Sequence, residues 1–380
     1  MQPTGLPRRD GGSGCSRTDV HHGAVSPARS RVQIRMNNSR KLRFGVIGID
    51  HRHIYDQVKS LLDIGAECAG YWTQDVDVPT MAGFEERFPH IQRVADRRQL
   101  LEDERIQLIT CAAIPCARAA LAVEAMRHGK DFMVDKPGVT SFEQLAEVQR
   151  VQRETGRIFS VNFTERFEVR AVTRATELVR SGAIGRVLQT IGLGPHRLNR
   201  HLRPAWFFDP QAYGGILIDI ASHQIDQFLH FTGADDAVIV ASRIGNLGHP
   251  EDPGLQDFGE ILLAHGPASG YIRVDWFTPD GLSTWGDGRL TILGTEGYIE
   301  LRKYIDISGR PGKDHLFLVN NEGSRYFDCC AEPLPYYTDL QRDVFERTET
   351  AMTHAHCFKV CELALKAQGM AERIAPLDAG

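Results

Sequence analysis

The sequence predicts an α/β protein, an N-terminal Rossmann-like parallel sheet followed by a C-terminal α/β domain on an open, mostly antiparallel sheet. Three observations predict it. Short apolar runs alternate with amphipathic helices from Leu42 to Asn162, the pattern of a parallel sheet. The run from Phe44 to His53 reads as a first strand and phosphate turn, with Gly48, Asp50 and His53 at the positions of G-x-G-x-x-G. After Arg166, β-branched runs separated by turns follow one another at hairpin spacing. The expected organisation is a disordered extension over 1–39, a dinucleotide-binding-like domain over 40–162 and a substrate and oligomerisation domain over 163–375.

In order, Leu42–Ile47 is the first expected strand, Tyr55–Asp63 a helix and Glu67–Trp72 the second strand. Short helices follow at Phe84–Phe88 and Arg98–Glu102. Ile106–Ala113 is a buried strand that Pro115 stops. Arg118–His128 repeats Ala and Leu at helical spacing and ends at Gly129. Asp131–Val134 is a strand. Ser141 caps a helix to Thr155, with Glu143 in its first turn, and Ile158–Asn162 closes the first half. Beyond it, Val169–Ser181 is a helix, Arg186–Leu193 a strand and Gly214–Phe231 one helix entered through two glycines. Strands are expected at Ala237–Arg243, Phe258–Ala264, Ala268–Trp276, Gly288–Ile292, Gly297–Arg302 and His315–Val319. Helical segments at Leu340–Glu349 and His356–Ala371 end the chain.

Composition narrows the function. The 380 residues, 42% of them hydrophobic, can bury a large core, and a net charge of −5 with interspersed signs leaves no nucleic-acid footprint. No apolar run approaches the ~20 residues of a membrane span, and no signal sequence is recognisable, so a cytoplasmic protein is expected. Residues 1–39 are rich in Gly, Ser, Pro and Arg and lack apolar periodicity, and Met36 is the expected start. The eight cysteines form no CxxC, and Cys357 and Cys361 beside His354 and His356 read as core packing rather than metal ligands.

Four motifs carry chemistry. The glycine turn leads into a helix N-terminus, where amides and the helix dipole favour phosphate. Asp50 stands where the second glycine lets the backbone approach a pyrophosphate. Two like charges ~5 Å apart at an effective dielectric of ~20 repel by roughly 3 kcal/mol, which weakens standard cofactor binding. The second strand ends at Trp72, where an acidic residue would hold the adenosine ribose. In Val134-Asp135-Lys136-Pro137, a lysine at a strand end can hold a substrate hydroxyl, or it is an exposed residue before a turn. Asp219 and His223, four apart on one helix face, suit an acid/base pair or a surface ion pair. The basic loop from His196 through Arg197 and Arg200 to Arg203 fits an acidic substrate or an interface.

Over residues 41–375 the chain resembles the Gfo/Idh/MocA oxidoreductases, the glucose–fructose oxidoreductase and inositol dehydrogenase family. The resemblance rests on the strand and glycine turn, on Asp135-Lys136-Pro137 as a variant of Glu-Lys-Pro, on Asn162 to Phe167, and on Trp206 followed by Gly214-Gly215 and Asp219-x-x-x-His223. It implies NAD or NADP lying along Gly45, Gly48, Ile49, Asp50, His51, Pro115, Asp135 and Lys136. It implies catalysis by Lys136, Asp219 and His223, with Lys136 and His223 handling a hydroxyl proton. A sugar, polyol or related, acidic compound would meet Arg166, His196, Arg197, Arg200 and Trp206. A homodimer or homotetramer is expected, with no nucleic-acid or membrane partner and no resident metal. The rival expectation keeps the fold for a metal-dependent or redox-silent lyase or hydratase, with Asp50, His51 and His53 as the metal-facing residues, near His196 and His223.

Overall fold

Two sheets hold the molecule together. The computed structural model describes residues 40–75 and 78–375; the expected extension over 1–39 and start at Met36 lie outside the described residues. The first sheet comprises β1 (Arg43–Ile47), β2 (Glu67–Trp72), β3 (Leu108–Cys111), β4 (Asp131–Asp135) and β5 (Phe159–Asn162). Their order is β2-β1-β3-β4-β5, and every pairing is parallel. Sheets of this kind are covered on both faces. Accordingly β3, β4 and β5 are buried along their whole length, under helices such as Ile54–Asp63, Pro115–Arg127 and Phe142–Thr155.

The second sheet contains β6 (Val187–Pro195), β7 (Val238–Gly245), β8 (Phe258–His265), β9 (Ala268–Asp275), β10 (Arg289–Gly294), β11 (Gly297–Arg302), β12 (His315–Asn320), β13 (Gly323–Asp328) and β14 (Glu372–Ile374). The order is β13-β12-β11-β10-β6-β9-β8-β7-β14, antiparallel except for β6 with β9 and β7 with β14. One face packs on helices, and alternate residues such as Ile261, Leu263, Ile292, Ile299 and Leu301 are buried there. The other face leaves Val238, Val240, Leu262, Leu293, Tyr298 and Tyr326 exposed.

Local physics moved several expected boundaries. Pro115 does not end a strand but opens the helix Pro115–Arg127 at its first position, where a missing N–H costs nothing. The expected single helix over Gly214–Phe231 is broken into Ile216–Asp219 and Ser222–Thr232, with Ile220 and Ala221 between them. Asp219 and His223 therefore do not share one helix face. β13 and β14 carry little apolar signal, since β13 is almost wholly exposed and β14 is three residues long. Both are held by pairing rather than by burial. Ser141 caps its helix as expected, accepting from the Gln144 amide, and Cys357 and Cys361 are buried.

The glycine turn keeps one strict requirement. Gly48 has φ +84°, and a Cβ there would stand 2.5 Å from Ala113 Cβ. Its amide donates to Trp72 O (2.8 Å), and its carbonyl accepts from the Ala112 amide (3.0 Å). The turn thus ties β1 to β2 and to the end of β3. Gly48→Ala is expected to lower stability by about 2 kcal/mol, from left-handed strain plus the clash. Urea titration of both proteins measures it, and equal midpoints would show that the turn tolerates a side chain.

Candidate active site

One buried arginine assembles the strand ends. Arg118, from the first turn of its helix, is 1% exposed and points into the sheet's carboxyl edge. Its Nε donates to Ala113 O (2.7 Å), and its Nη1 reaches the carbonyls of Asp135 (2.9 Å), Lys136 (2.6 Å) and Pro137 (3.0 Å). Nη2 donates to Asp135 Oδ2 (3.1 Å). Asp135 is fully buried, and its other neighbours are imidazoles: His51 Nδ1 at 3.1 Å and His53 Nδ1 at 2.8 Å. Burial opposes the charge on Asp135, but His53, Arg118 and His51 outweigh it and hold the carboxyl well below its ordinary value. An ionised carboxylate only accepts, so each Nδ1 carries the proton in its contact with Asp135. Burial, then His53, push His51 down to about 3, so its ring is neutral.

Lys136 follows directly at the end of β4. It is 5% exposed, and its Nζ donates to Asp219 Oδ1 at 2.8 Å. Burial raises the Asp219 carboxyl, yet the ammonium more than offsets this and leaves it below its ordinary value. Asp219 is thus the partner of Lys136 rather than the carboxylate that orients His223. His223, the second residue of the next helix, is 2% exposed, and its Nδ1 has no hydrogen-bond partner among the described residues. Burial, then Lys136 and His53, keep it neutral, well below its usual value. Its helix is anchored through Gln224 Nε2 to Glu165 Oε2 (2.9 Å) and Gln227 Nε2 to Glu165 O (3.0 Å), with buried Lys303 completing the network on Glu165.

His51, His53, Lys136, Asp219, His196 and Arg197 line one cavity of about 880 Å³. His196 Nδ1 bonds Gly194 O (2.9 Å), its ring lies 5.1 Å from Trp276 and 4.6 Å from Trp285, and burial pushes it down to about 3. Asp50 and Trp206 line a second cavity of about 360 Å³ beside it, and Trp206 approaches His51 at 6.4 Å.

The other expected residues lie elsewhere. Gly45 is mid-strand in β1, where a Cβ would meet Ile109 and Leu100, so it is a packing glycine and not part of the phosphate turn. Ile49 is buried and its carbonyl accepts from Thr80. Pro115 is buried at its helix start. Arg166 pairs bidentately with Asp226 (2.6 and 2.7 Å), which also meets His356 Nε2. Arg200 grips Asp252 in the same way (2.6 and 2.8 Å). Both guanidinium forks are filled by carboxylates, and neither residue lines the large cavity. Arg197 lines it but donates to the carbonyls of Pro279 and Leu282.

Asp50 is not part of the metal-like grouping either. Its carboxyl is raised by burial, and the ligand atoms within 4.8 Å of one another belong to His51, His53 and Asp135. There Asp135 already accepts from Arg118 and both imidazoles, so a cation would have to displace a donor. Sequence reasoning missed Arg118. Its signal was an arginine at a buried position of an Ala-rich helix, just after a strand end.

A dinucleotide group fits the crevice in two observed respects. Gly48 preserves the tight turn, and at the end of β2 the buried Thr73 Oγ1 has no partner among the described residues, a hydroxyl where a ribose partner is needed. Asp50 and His53, at the positions of the second and third glycines, are the misfits.

A parallel sheet with a glycine turn, joined to a second sheet across a lysine- and histidine-lined cavity, defines a dinucleotide-type oxidoreductase fold. The chain belongs to the Gfo/Idh/MocA family: residues 42–163 match the oxidoreductase family, NAD-binding Rossmann fold, and residues 172–300 match the GFO/IDH/MocA C-terminal domain. It is similar to an oxidoreductase candidate from Erwinia carotovora atroseptica, with 50% identity, TM-score 0.85, and coverage of 88% of this chain and 100% of that one. It is 25% identical to scyllo-inositol 2-dehydrogenase (NAD(+)) of Bacillus subtilis over 61% of this chain and 63% of that protein. It is 27% identical to levoglucosan dehydrogenase of Pseudarthrobacter phenanthrenivorans over 50% and 49%. The chain thus spans less than two thirds of the length of these curated relatives.

The buried neutral histidines set a pH dependence. Burial is the leading cause at His51, His196 and His230, each pushed down to about 3, whereas histidines in the unfolded chain titrate near ~6.5. Between these values the unfolded state binds protons that the folded state refuses, so stability falls as pH falls from about 6.5 towards 3. Each histidine costs at most ~2 kcal/mol between pH 6.5 and 5. Urea unfolding at pH 7.5 and 5.0 is expected to show a loss of several kcal/mol, reduced in His230→Asn. A flat profile would mean that these rings titrate normally in the fold.

Proposed function

We propose that this protein is an NAD(P)-dependent oxidoreductase acting on a secondary hydroxyl of a sugar, polyol or related compound. The observation that carries this reading is the Lys136–Asp219 pair at the end of β4, in electrostatic reach of neutral His223, whose Nδ1 has no partner among the described residues. When bound, the nicotinamide would supply the hydride acceptor or donor. Gly48, Thr73 and the α-helical N-terminus after His53 are the residues that would hold the dinucleotide.

The chain's own groups manage the oxygen and its proton. An ammonium has three donors, and Asp219 takes one of those on Lys136. A substrate hydroxyl held by another would lose its proton at lower cost, because the buried charge stabilises the developing alkoxide. Asp219 fixes the Lys136 Nζ in its buried place. His223, neutral and with a free ring nitrogen, is in the form that accepts a proton, and in the reverse direction it returns one. Trp276, Trp285 and His196 offer apolar faces beside these polar groups, the combination that suits a polyhydroxy ring. The relatives that act on scyllo-inositol and levoglucosan support this substrate class.

The exposed apolar face of the second sheet supports a homodimer or homotetramer formed through that face. The rival metal-dependent reading is supported only by the His51, His53 and Asp135 grouping.

Steady-state kinetics over a panel of inositols and anhydrosugars, with either dinucleotide, tests the reading. Lys136→Met and His223→Asn are each expected to lower kcat/KM by 10²–10⁴-fold while leaving dinucleotide binding within a few-fold of wild type. Full activity in both variants would remove the assigned roles. Turnover that depends on an added divalent metal and on no dinucleotide would favour the rival. Light scattering of the purified protein is expected to give a dimer or tetramer, and a monomer at tens of micromolar would contradict the interface.

A further inference from the structure

Two arginines at the neck between the cavities, Arg52 and Arg203, form no salt bridge with any of the described residues. The larger and smaller cavities share a wall that includes His51, Arg52, Tyr55, Asn199, Arg203 and Phe207. Beyond it, the smaller cavity runs past Asp50, Pro79 and Thr80, along the outside of the glycine turn. Arg52 belongs to that turn. Arg203 reaches the same wall from the loop that leaves β6, so the two come from opposite halves of the chain.

Arg203 is held in place without being neutralised. Its Nε donates to Leu198 O (2.7 Å) and its Nη2 to Arg197 O (3.3 Å), both neutral carbonyls. Its guanidinium lies over the rings of Phe207 (4.5 Å) and Trp276 (5.1 Å), which fix its plane. Among the described residues, no carboxylate forms a salt bridge with Arg203 or Arg52, in contrast to Arg166 on Asp226 and Arg200 on Asp252. Burial, then the nearby Arg52, lower Arg203 to about 10, against a smaller opposing pull from Asp219. Two like charges gathered in a partly buried neck favour an anion between them.

The position says which anion. The neck adjoins the first turn of the helix Ile54–Asp63, whose N-cap residue His53 makes no side-chain capping bond, and arginine forks match phosphate oxygens. Asp50, farther along the smaller cavity, is raised by burial towards its neutral form, which softens the repulsion that its charge would cause.

We propose that Arg52 and Arg203 clamp the pyrophosphate of the dinucleotide from opposite sides, taking the place of the backbone contact that the second glycine of the turn would provide. This rests on the dinucleotide reading above. It gives the basic loop a role through Arg203, while Arg200 and Arg197 hold the loop together.

Fluorescence titration of the full-length protein with NADH and NADPH, repeated with Arg52→Gln and Arg203→Gln, tests the clamp. The expected result is a dissociation constant raised about tenfold in each variant, a shallower dependence on salt, and unchanged affinity for adenosine, which has no phosphate. Arg52 is exposed, so its variant keeps the test valid should Arg203→Gln fold poorly. Wild-type protein that binds neither dinucleotide would overturn the functional reading itself. Wild-type binding that both variants retain overturns the clamp alone. Unchanged NADH affinity with a raised substrate KM gives the anion to the substrate, and also overturns the pyrophosphate assignment.

Discussion

The contact between Arg118 and Asp135 is the constraint on which the site depends. A guanidinium excluded from water has to fill its donors, and Arg118 does so with four carbonyls and one carboxylate drawn from the ends of β3 and β4. The carboxylate then has lone pairs left, and these fix the two histidines of the turn after β1. One buried ion pair therefore sets three strand ends relative to one another, and Lys136 emerges from that junction. Removing either partner would leave an uncompensated charge in the sheet edge, which is far more costly than the net worth of the pair.

This arrangement also gives the unusual turn a physical reason. A glycine at position 53 could not reach Asp135, and a glutamate at position 135 would be one methylene longer in a space already filled by Arg118. The histidines and the shorter acid form a matched set. In exchange the turn loses the backbone access that glycines give, and the basic neck made by Arg52 and Arg203 is where that access is replaced.

Much of the fold was legible because burial on both faces writes apolar runs into β3, β4 and β5, and capping writes Ser141 and Gly129 into their helix ends. β13 and β14 were not legible, because exposed edge strands held by pairing leave no periodic apolar signal. Of the candidate site, Lys136, Asp219 and His223 stand out in the sequence by residue type alone. Their pairing does not, since the break between Asp219 and Ser222 turns the carboxylate to Lys136. Arg166 and Arg200 show the opposite failure. Arginine in a suggestive motif says nothing about whether a carboxylate elsewhere, Asp226 or Asp252, has already taken its fork. Arg203 stood in the same loop, and only the three-dimensional arrangement distinguishes it.

The hub can be read directly from the ring nitrogens of its histidines. Nitrogen-15 correlation spectra of the protein at pH 7 should show His51 as a neutral ring protonated at Nδ1, with His53 likewise carrying a proton on Nδ1. Both signals should change in Asp135→Asn. A proton on Nε2 of His51 with a bare Nδ1, or a spectrum indifferent to Asp135→Asn, would contradict the junction from which the rest of the site is built.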